Sequence, residues 1–392
     1  MTDSTTPEAS PPRPLLSLCM IVKNESEHLA RCLTSAQSYV DEIVVVDTGS
    51  QDDTVAIAQQ FGATLFHFDW CDDFAAARNF SLEKVNAAWV LILDADETLV
   101  VETDALQQQL SAAPPEVMGY ALTRTEITLL EGDLSGGFHI RLFRNDPCLR
   151  YVGRYHEQLR HQNGKPLAID TFHELKILHY GNSDEQAVLK KTIERDIPLL
   201  EKMRQEQGLN LWLLDCLARN YIRTEQPDYA QECYAEAFDR LLPHLLSGEA
   251  PTDFFWVPTL MCELGWRSLD AEDLETTRLL VQRGLEWCPP HAPLNNLAGE
   301  VLLMLGFPLG AIAYFETSLR LGQEGTYNQT DPCPKSAITT APACGLGRAY
   351  QQLGQPEQAI ACFELALSFD ANCAIAQQFL QEVRSQEPAV GS

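Results

Sequence analysis

The 392-residue chain is short of positive charge: 28 lysines and arginines stand against 55 aspartates and glutamates, for a net charge of −27. That balance excludes nucleic acid as a natural partner, because phosphate binding needs a basic surface. It also disfavours adsorption to an anionic membrane. A phosphate-bearing ligand would have to meet a local cation: an arginine, a helix start or a metal ion. Long apolar runs are missing too. The first such run, LLSLCMIV at 15–22, is too short to span a bilayer, and it ends in Lys-Asn-Glu, as a strand entering a loop does. Residues 1–14 are rich in Ser, Thr and Pro, do not read as a signal peptide, and are expected to be disordered. A cytoplasmic location is expected. The 12 cysteines include no Cys-x-x-Cys pair, so the spacing of a structural zinc site is absent. Their setting in apolar stretches, as at Cys19, Cys216 and Cys362, predicts buried free thiols in a reducing compartment.

What the chain does contain is an alternation. LLSLCMIV, EIVVVD, ATLFHF and WVLILD read as strands. Between them lie three helical patterns: SEHLARCLTSAQSY with Ser26 as a cap, DTVAIAQQF, and DFAAARNFSLEKV with Phe74, Ala77, Leu82 and Val85 on one face. This order gives a mostly parallel sheet with helices on both faces, whose ligands bind at the carboxyl ends of the strands. Polar clusters fall at those ends: Lys23-Asn24-Glu25, Asp47-Thr48-Gly49-Ser50, Asp69 to Asp73, and Asp94-Ala95-Asp96-Glu97. Ser50, Asp52 or Asp53 can cap the second helix and leave its amides open to an anion. Asp47 and Asp94 should be neighbours if their strands are close. Acid-x-acid patterns arise about eight times by composition alone. The one at Asp94 is distinguished by following an apolar strand directly. Such acids are tolerated together when water, a cation or a shared proton compensates them.

These motifs, SLCMIVKNE, EIVVVDTGSQDDT, FGA, W-x-DDFAAARN and WVLILDADE, resemble in order and spacing the family 2 glycosyltransferases of GT-A fold. The branch with tetratricopeptide repeats behind the transferase domain is the nearest. The resemblance covers about 16–200. It departs at Gln51-Asp52-Asp53, where the family usually has Thr-Asp-Gly. It implies a hexosyl-type transferase moving sugar from a nucleotide-diphosphate donor to an acceptor peptide, lipid or glycan. By the same resemblance Asp47, Arg78, Asp94 and Lys23 bind the nucleotide, and Asp96 with Asp94 holds a divalent metal. A cation there would stabilise the departing diphosphate, and hard carboxylates suit Mg²⁺ or Mn²⁺. The sequel GGFHIRLFRND, LRYVGRYHEQL and AIDTFHELKILHYGNS also fits the family. It places the catalytic base of an inverting transferase at Glu157, with His156 beside it touching donor or acceptor. His179 matches the late histidine that completes the metal site, and an imidazole among oxygens favours Mn²⁺. Arg141 and Arg144 could reach diphosphate, but alternating arginines usually mark the wet face of a strand. His139, His161 and His173 read as structural.

Beyond about residue 200 the pattern is helical and repeated. NYIRTEQPDYAQECYAEAF, VLLMLGFPLGAIAYFETSL and AYQQLGQPEQAIACFELAL superpose Pro227 on Pro308 and Pro356. They also superpose Ala230 on Ala311 and Ala359, and Tyr234 on Phe315 and Phe363. A weaker copy lies around Met261–Cys288, with Leu279, Leu280 and Leu285 as core residues. This resembles tetratricopeptide repeats, about four irregular units that would dock a peptide or protein. Phe254, Phe255 and Trp256 are assigned to its core. The expected organisation is a tail at 1–14, an α/β GT-A domain at 15–200, all-α repeats at 201–384 and a frayed tail at 385–392. Two rival readings remain. One is an inactive transferase domain serving as a docking scaffold. The other is a haloacid-dehalogenase-type phosphatase using Asp94 as nucleophile, Asp96 as acid/base and Thr98.

Overall fold

Strand β1 (Leu16–Val22) is buried along nearly its whole length, as a strand covered on both faces must be. In a computed structural model, which describes residues 13–127, 137–181, 184–252, 256–328 and 333–386, it lies inside an eight-stranded sheet. Residues 1–12 and 387–392 of the expected tails, and Phe254 and Phe255, lie outside the described residues. Arg13 is tied to the domain: it donates from Nε to the Asn86 carbonyl at 2.8 Å.

The chain divides into two compact units: of the described residues, the first holds 13–127 and 138–185, and the second holds Gly137 and those from Gln186 on. The first opens with α1 (Leu29–Ala36), β2 (Glu42–Asp47), α2 (Thr54–Gln60), β3 (Thr64–His67), α3 (Phe74–Leu82) and β4 (Trp89–Ile92). It continues through β5 (Glu97–Val101), α4 (Leu106–Ala112), β6 (Gly119–Glu126), β7 (Gly137–Arg144), β8 (Leu149–Val152), β9 (Gln158–His161) and β10 (Ile169–His179). The sheet order is β3-β2-β1-β4-β7-β6-β10-β5, and β8 and β9 pair separately. β1, β2, β3 and β4 run parallel, as do β6 and β10. β7 is antiparallel to β4, and β5 is antiparallel to β10.

Apolar residues alternate between two cores. One joins Leu18, Met20, Leu91, Leu122 and Ile177 to Leu33 of α1 and Leu110 of α4. The other joins Cys19, Val44, Val90 and Phe143 to Ala75 and Leu82 of α3 and to Leu149, Tyr151 and Leu159 of the small ribbon. The chain leaves β1 toward β2 and β3 on one side, then crosses to β4 on the other. The switch point where crevices form in such sheets therefore lies between the carboxyl ends of β1 and β4.

One local expectation is corrected. α1 begins at Leu29 after His28 rather than being capped by Ser26; the Ser26 amide instead donates to Asp52 Oδ2 at 3.0 Å. At the start of α2, of the three expected capping residues, Asp52 accepts from the Thr54 amide through Oδ1 at 3.1 Å.

The second unit is helical. It starts with α5 (Glu185–Lys191) and α6 (Ile197–Gln207), joined by a π-helical turn at Thr192–Asp196. Four helix pairs follow: α7 (Leu211–Arg223) with α8 (Pro227–Ser247), α9 (Val257–Asp270) with α10 (Leu274–Trp287), α11 (Ala292–Met304) with α12 (Pro308–Glu324), and α13 (Thr340–Gln352) with α14 (Pro356–Phe369). α15 (Ala374–Gln386) closes the series. Pro227, Pro308 and Pro356 each open the second helix of a pair, where their missing amide hydrogen costs nothing. Ala230, Ala311 and Ala359, and the rings of Tyr234, Phe315 and Phe363, are fully buried. In the weaker copy Thr277 and Val281 take the corresponding buried places. The Phe315 ring lies so close to α11 and α13 that a Cβ on Gly299 or Gly345 would sit 2.5 Å from it. Trp256 stacks on Trp212 with ring centroids 5.3 Å apart. None of the 12 cysteines is paired; Cys19 and Cys233 are buried, Cys216 and Cys362 half-buried, and Cys71 exposed. No helix among the described residues is long and apolar enough to cross a membrane.

Candidate active site

The rim at the switch point is built by short-range devices first. β2 ends on Asp47, which is buried. Its carboxylate accepts the Gly49 and Ser50 amides, each at 3.1 Å, with Gly49 at φ 106° to close the turn. Asp47 is level with Val22 of β1, and Cys19 is level with Ile92 of β4. Asp94, two residues past Ile92, therefore reaches the same rim about 10 Å away, two strand spacings across the sheet. Lys23 stands exposed just past β1. Asp73 caps α3 by accepting the Ala76 amide at 2.9 Å. That fixes the helix start and sets Arg78 a turn further in, on the buried face.

Arg78 joins two acids distant in sequence. Its Nη2 donates to Asp94 Oδ1, and its Nε donates to Glu157 Oε1 at 3.1 Å. Its Nη1 is buried without a hydrogen-bond partner. Arg141 donates from Nη2 to Asp94 Oδ2 and to Glu97 Oε1, both at 2.9 Å. Glu97 is wholly buried; its Oε2 accepts the Asp94 amide at 2.8 Å, bracing the turn between the two aspartates. Arg124 donates from Nε to Glu97 at 3.0 Å and from Nη1 to Glu126 at 2.8 Å. Glu126 accepts from His179 Nδ1 at 2.6 Å, and His179 Nε2 stands 3.5 Å from Asp96 Oδ2. The Tyr180 amide donates to the Asp96 carbonyl at 2.9 Å, fastening the turn to the end of β10.

The electrostatics follow from these contacts. Burial works against an ionised Asp94, but Arg141 and Arg78 outweigh it and hold the carboxyl well below the usual range. Burial pushes Glu97 up, with Arg141 opposing. Burial also disfavours a charged His179, yet its hydrogen bonds to Asp96 and Glu126 lift it to about 9. His139 is pushed down to about 4, chiefly by burial and then by the Arg141 and Arg124 charges.

The expectations for single residues sort accordingly. Arg78, Asp94 and Glu157 are brought into direct contact, as are Asp96 and His179. Asp94, Asp96 and His179 do not form one three-ligand cluster: among the described residues no such group of three or more His, Cys, Asp or Glu is found. Arg78 and Arg141 are the cations that touch Asp94, and Arg124 and Arg141 those that touch Glu97. Arg141 is not on a wet face: its side chain is only 14% exposed and is held by Asp94 and Glu97. Arg144 does not face the rim either; it donates to the carbonyls of Ala113, Pro114 and Val117 and lies over the Trp89 ring. His156 is exposed at φ 54°, edge-on to Tyr155. The phosphatase reading needs an open Asp94 carboxylate as nucleophile, whereas both its oxygens are held by guanidinium groups.

Glu97 enters the sequence reading only as the end of the Asp94–Glu97 cluster, and Arg124 and Glu126 escape it. The only signal for the last two was TRTE, polar residues continuing an apolar alternation at the end of a strand.

A metal ion is implied by the resemblance, and the donor set can be tested for it. Asp96 Oδ2 and His179 Nε2 converge beside Gly181, where a Cβ would fall 2.6 Å from that nitrogen and against that oxygen. One carboxylate and one imidazole suit a divalent ion that keeps waters and takes oxygens from a bound diphosphate. The residues present fit.

Residues 17–125 match the model of Glycosyl transferase family 2, and residues 343–373 match that of a tetratricopeptide repeat. The chain carries a family 2 glycosyltransferase domain toward its N-terminus and a tetratricopeptide repeat toward its C-terminus. Among curated relatives, a TPR repeat-containing protein of Synechococcus elongatus is 40% identical over 207 residues, covering 51% of this chain and 48% of that protein. The SPbeta prophage-derived glycosyltransferase SunS of Bacillus subtilis is 28% identical over 203 residues, covering 51% and 48%. The lipopolysaccharide core biosynthesis glycosyltransferase LpsC of Rhizobium meliloti is 32% identical over 117 residues, covering 29% and 43%. The chain thus spans about half the length, or less, of the curated relatives it matches. Among solved structures, S. aureus TarS 1-349 in complex with UDP-GlcNAc aligns with a TM-score of 0.38 at 13% identity, covering 68% of this chain and 90% of that one.

Proposed function

We propose that this protein is a metal-assisted inverting glycosyltransferase moving a sugar from a nucleotide-diphosphate donor to a peptide, lipid or glycan acceptor. The observation that carries the reading is Arg78, which bridges Asp94 and Glu157 at the switch point of a sheet whose sequence matches a transferase family. In this reading Asp47, Lys23 and Asp94 border the nucleotide, and Arg78, with a buried donor in reserve, serves its diphosphate side. Asp96 and His179 are the two protein ligands of a divalent cation, Mn²⁺ or Mg²⁺. When bound, that ion offsets the negative charge growing on the departing diphosphate. Glu157 is the base: its Oε1 is held by Arg78, and its Oε2 is offered to the acceptor hydroxyl. His156, exposed beside it, borders the acceptor. We assign the transferase domain to 15–200 and the repeats to 201–384, with the repeats as a docking site for a protein or peptide.

The test is hydrolysis of a panel of nucleotide sugars by the purified protein, with and without Mn²⁺. Metal-dependent release of nucleoside diphosphate from one donor is the expected result. A protein that turns over none, with any divalent ion, is a scaffold and not a transferase.

A further inference from the structure

We infer that Glu126 is a positioning residue that turns the His179 ring so that Nε2, and not Nδ1, faces the cation; the inference rests on the metal site proposed above. The placement begins in the backbone. β6 and β10 pair in parallel with Glu126 level with His179, so the two side chains leave the sheet side by side. The contact is short, 2.6 Å from Nδ1 to Oε2, and each side chain is only 11% exposed. Glu126 is itself held: its Oε1 accepts from Arg124 Nη1 at 2.8 Å, and Arg124 is anchored through Nε to the buried Glu97. The carboxylate therefore cannot swing away without breaking a second ion pair.

The two nitrogens of an imidazole point in divergent directions. Tying Nδ1 to Glu126 leaves Nε2 directed at Asp96 and at the space kept open by Gly181. When the ring binds a cation, its remaining proton sits on Nδ1 and is donated to Glu126. That fixes the tautomer and makes Nε2 a stronger donor, and loss of such a partner typically costs about 10–100-fold in metal affinity. None of the family motifs at the site includes Glu126, because the pairing that places it belongs to the sheet and not to a motif.

The experiment is a Mn²⁺ titration of the full chain by electron paramagnetic resonance, with inorganic pyrophosphate present, on wild type and on Glu126→Ala, Glu126→Gln, Asp96→Asn and Arg144→Ala. Arg144→Ala reports the effect of damage to the same unit away from the site. The expected results are an affinity about 10–100-fold weaker for Glu126→Ala, an intermediate loss for Glu126→Gln, whose amide oxygen still accepts from Nδ1, and no change for Arg144→Ala. Imidazole-nitrogen coupling in the spin-echo spectrum of bound Mn²⁺ should be present in wild type and weakened in Glu126→Ala. Wild-type affinity and coupling in Glu126→Ala, while Asp96→Asn fails to bind, overturn the positioning role and leave the metal site standing. Complete loss in Glu126→Ala, equal to Asp96→Asn, makes Glu126 a ligand and also overturns it. A wild type that binds no Mn²⁺ removes the metal site itself and the inference with it.

Discussion

Arg78 donates to Asp94 through Nη2 and to Glu157 through Nε. One guanidinium thereby sets the distance between the acid at the end of β4 and the acid that begins the β9 segment. A lysine has a single point charge and cannot span two carboxylates in this way. Arg78→Lys should therefore lower donor turnover by at least ~10²-fold, of the size seen when a positioned charge is lost. Steady-state kinetics with the active donor checks this. Arg78→Met should also lower the thermal midpoint. Its cost should stay below the roughly 3–5 kcal/mol of breaking a fully buried pair, because the Asp94 side chain is 36% exposed.

Glu157→Gln keeps a hydrogen-bonding oxygen for Arg78 but removes the basic one. Donor binding, read by calorimetry, should stay near wild type. Sugar transfer should fall by ~10²–10⁴-fold. Normal transfer would move the base elsewhere.

Asp96→Asn should abolish the metal dependence of donor hydrolysis together with the hydrolysis itself. Asp94→Asn should act differently. It loosens Arg78 and Arg141, so it should raise the donor KM and lower stability while metal-dependent turnover persists at a reduced rate. Equal behaviour of the two variants would show that both acids are ligands.

His139 provides a pH prediction. Its folded-state pKa lies near 4, below the unfolded value of about 6.5. Between these values the unfolded chain binds the proton and the folded chain does not, so stability falls as pH drops from about 6.5 to about 4 and levels off below. The shift bounds the effect at roughly 3 kcal/mol. On acidification across this range the urea midpoint of wild type should fall further than that of His139→Gln.

In the repeats, Gly299→Ala would put a methyl group 2.5 Å from the Phe315 ring. The expected cost is about 1–3 kcal/mol. Calorimetric unfolding of the full chain should show it as a lowered transition.

Much of this architecture was legible because it is local. Apolar runs ending in acids located β1, β2 and β4 and the carboxyl-end rim. The Pro, Ala and aromatic registers located three helix pairs; the fourth reads only as a weaker copy because Thr277 and Val281 stand where the others have Ala and an aromatic ring. What escaped depends on partners distant in sequence. ETLVV follows the acids without a turn residue and became β5 only because β10 pairs with it. Glu97, which the sequence shows only as the last acid of the rim cluster, is wholly buried because Arg124 and Arg141 arrive from β6 and β7. Arg141 was misjudged for the same reason: alternation tells which residues share a face, not whether that face is covered.

The ion pairs at the rim carry a last consequence. Arg78, Arg124 and Arg141 stand in direct ion pairs with Asp94, Glu97, Glu126 and Glu157, in a chain that carries −27. An incoming anion consequently meets carboxylates already paired with guanidinium groups, screened from the acidic exterior by those neighbours. Added salt should therefore alter how fast such a ligand arrives more than how firmly it is held.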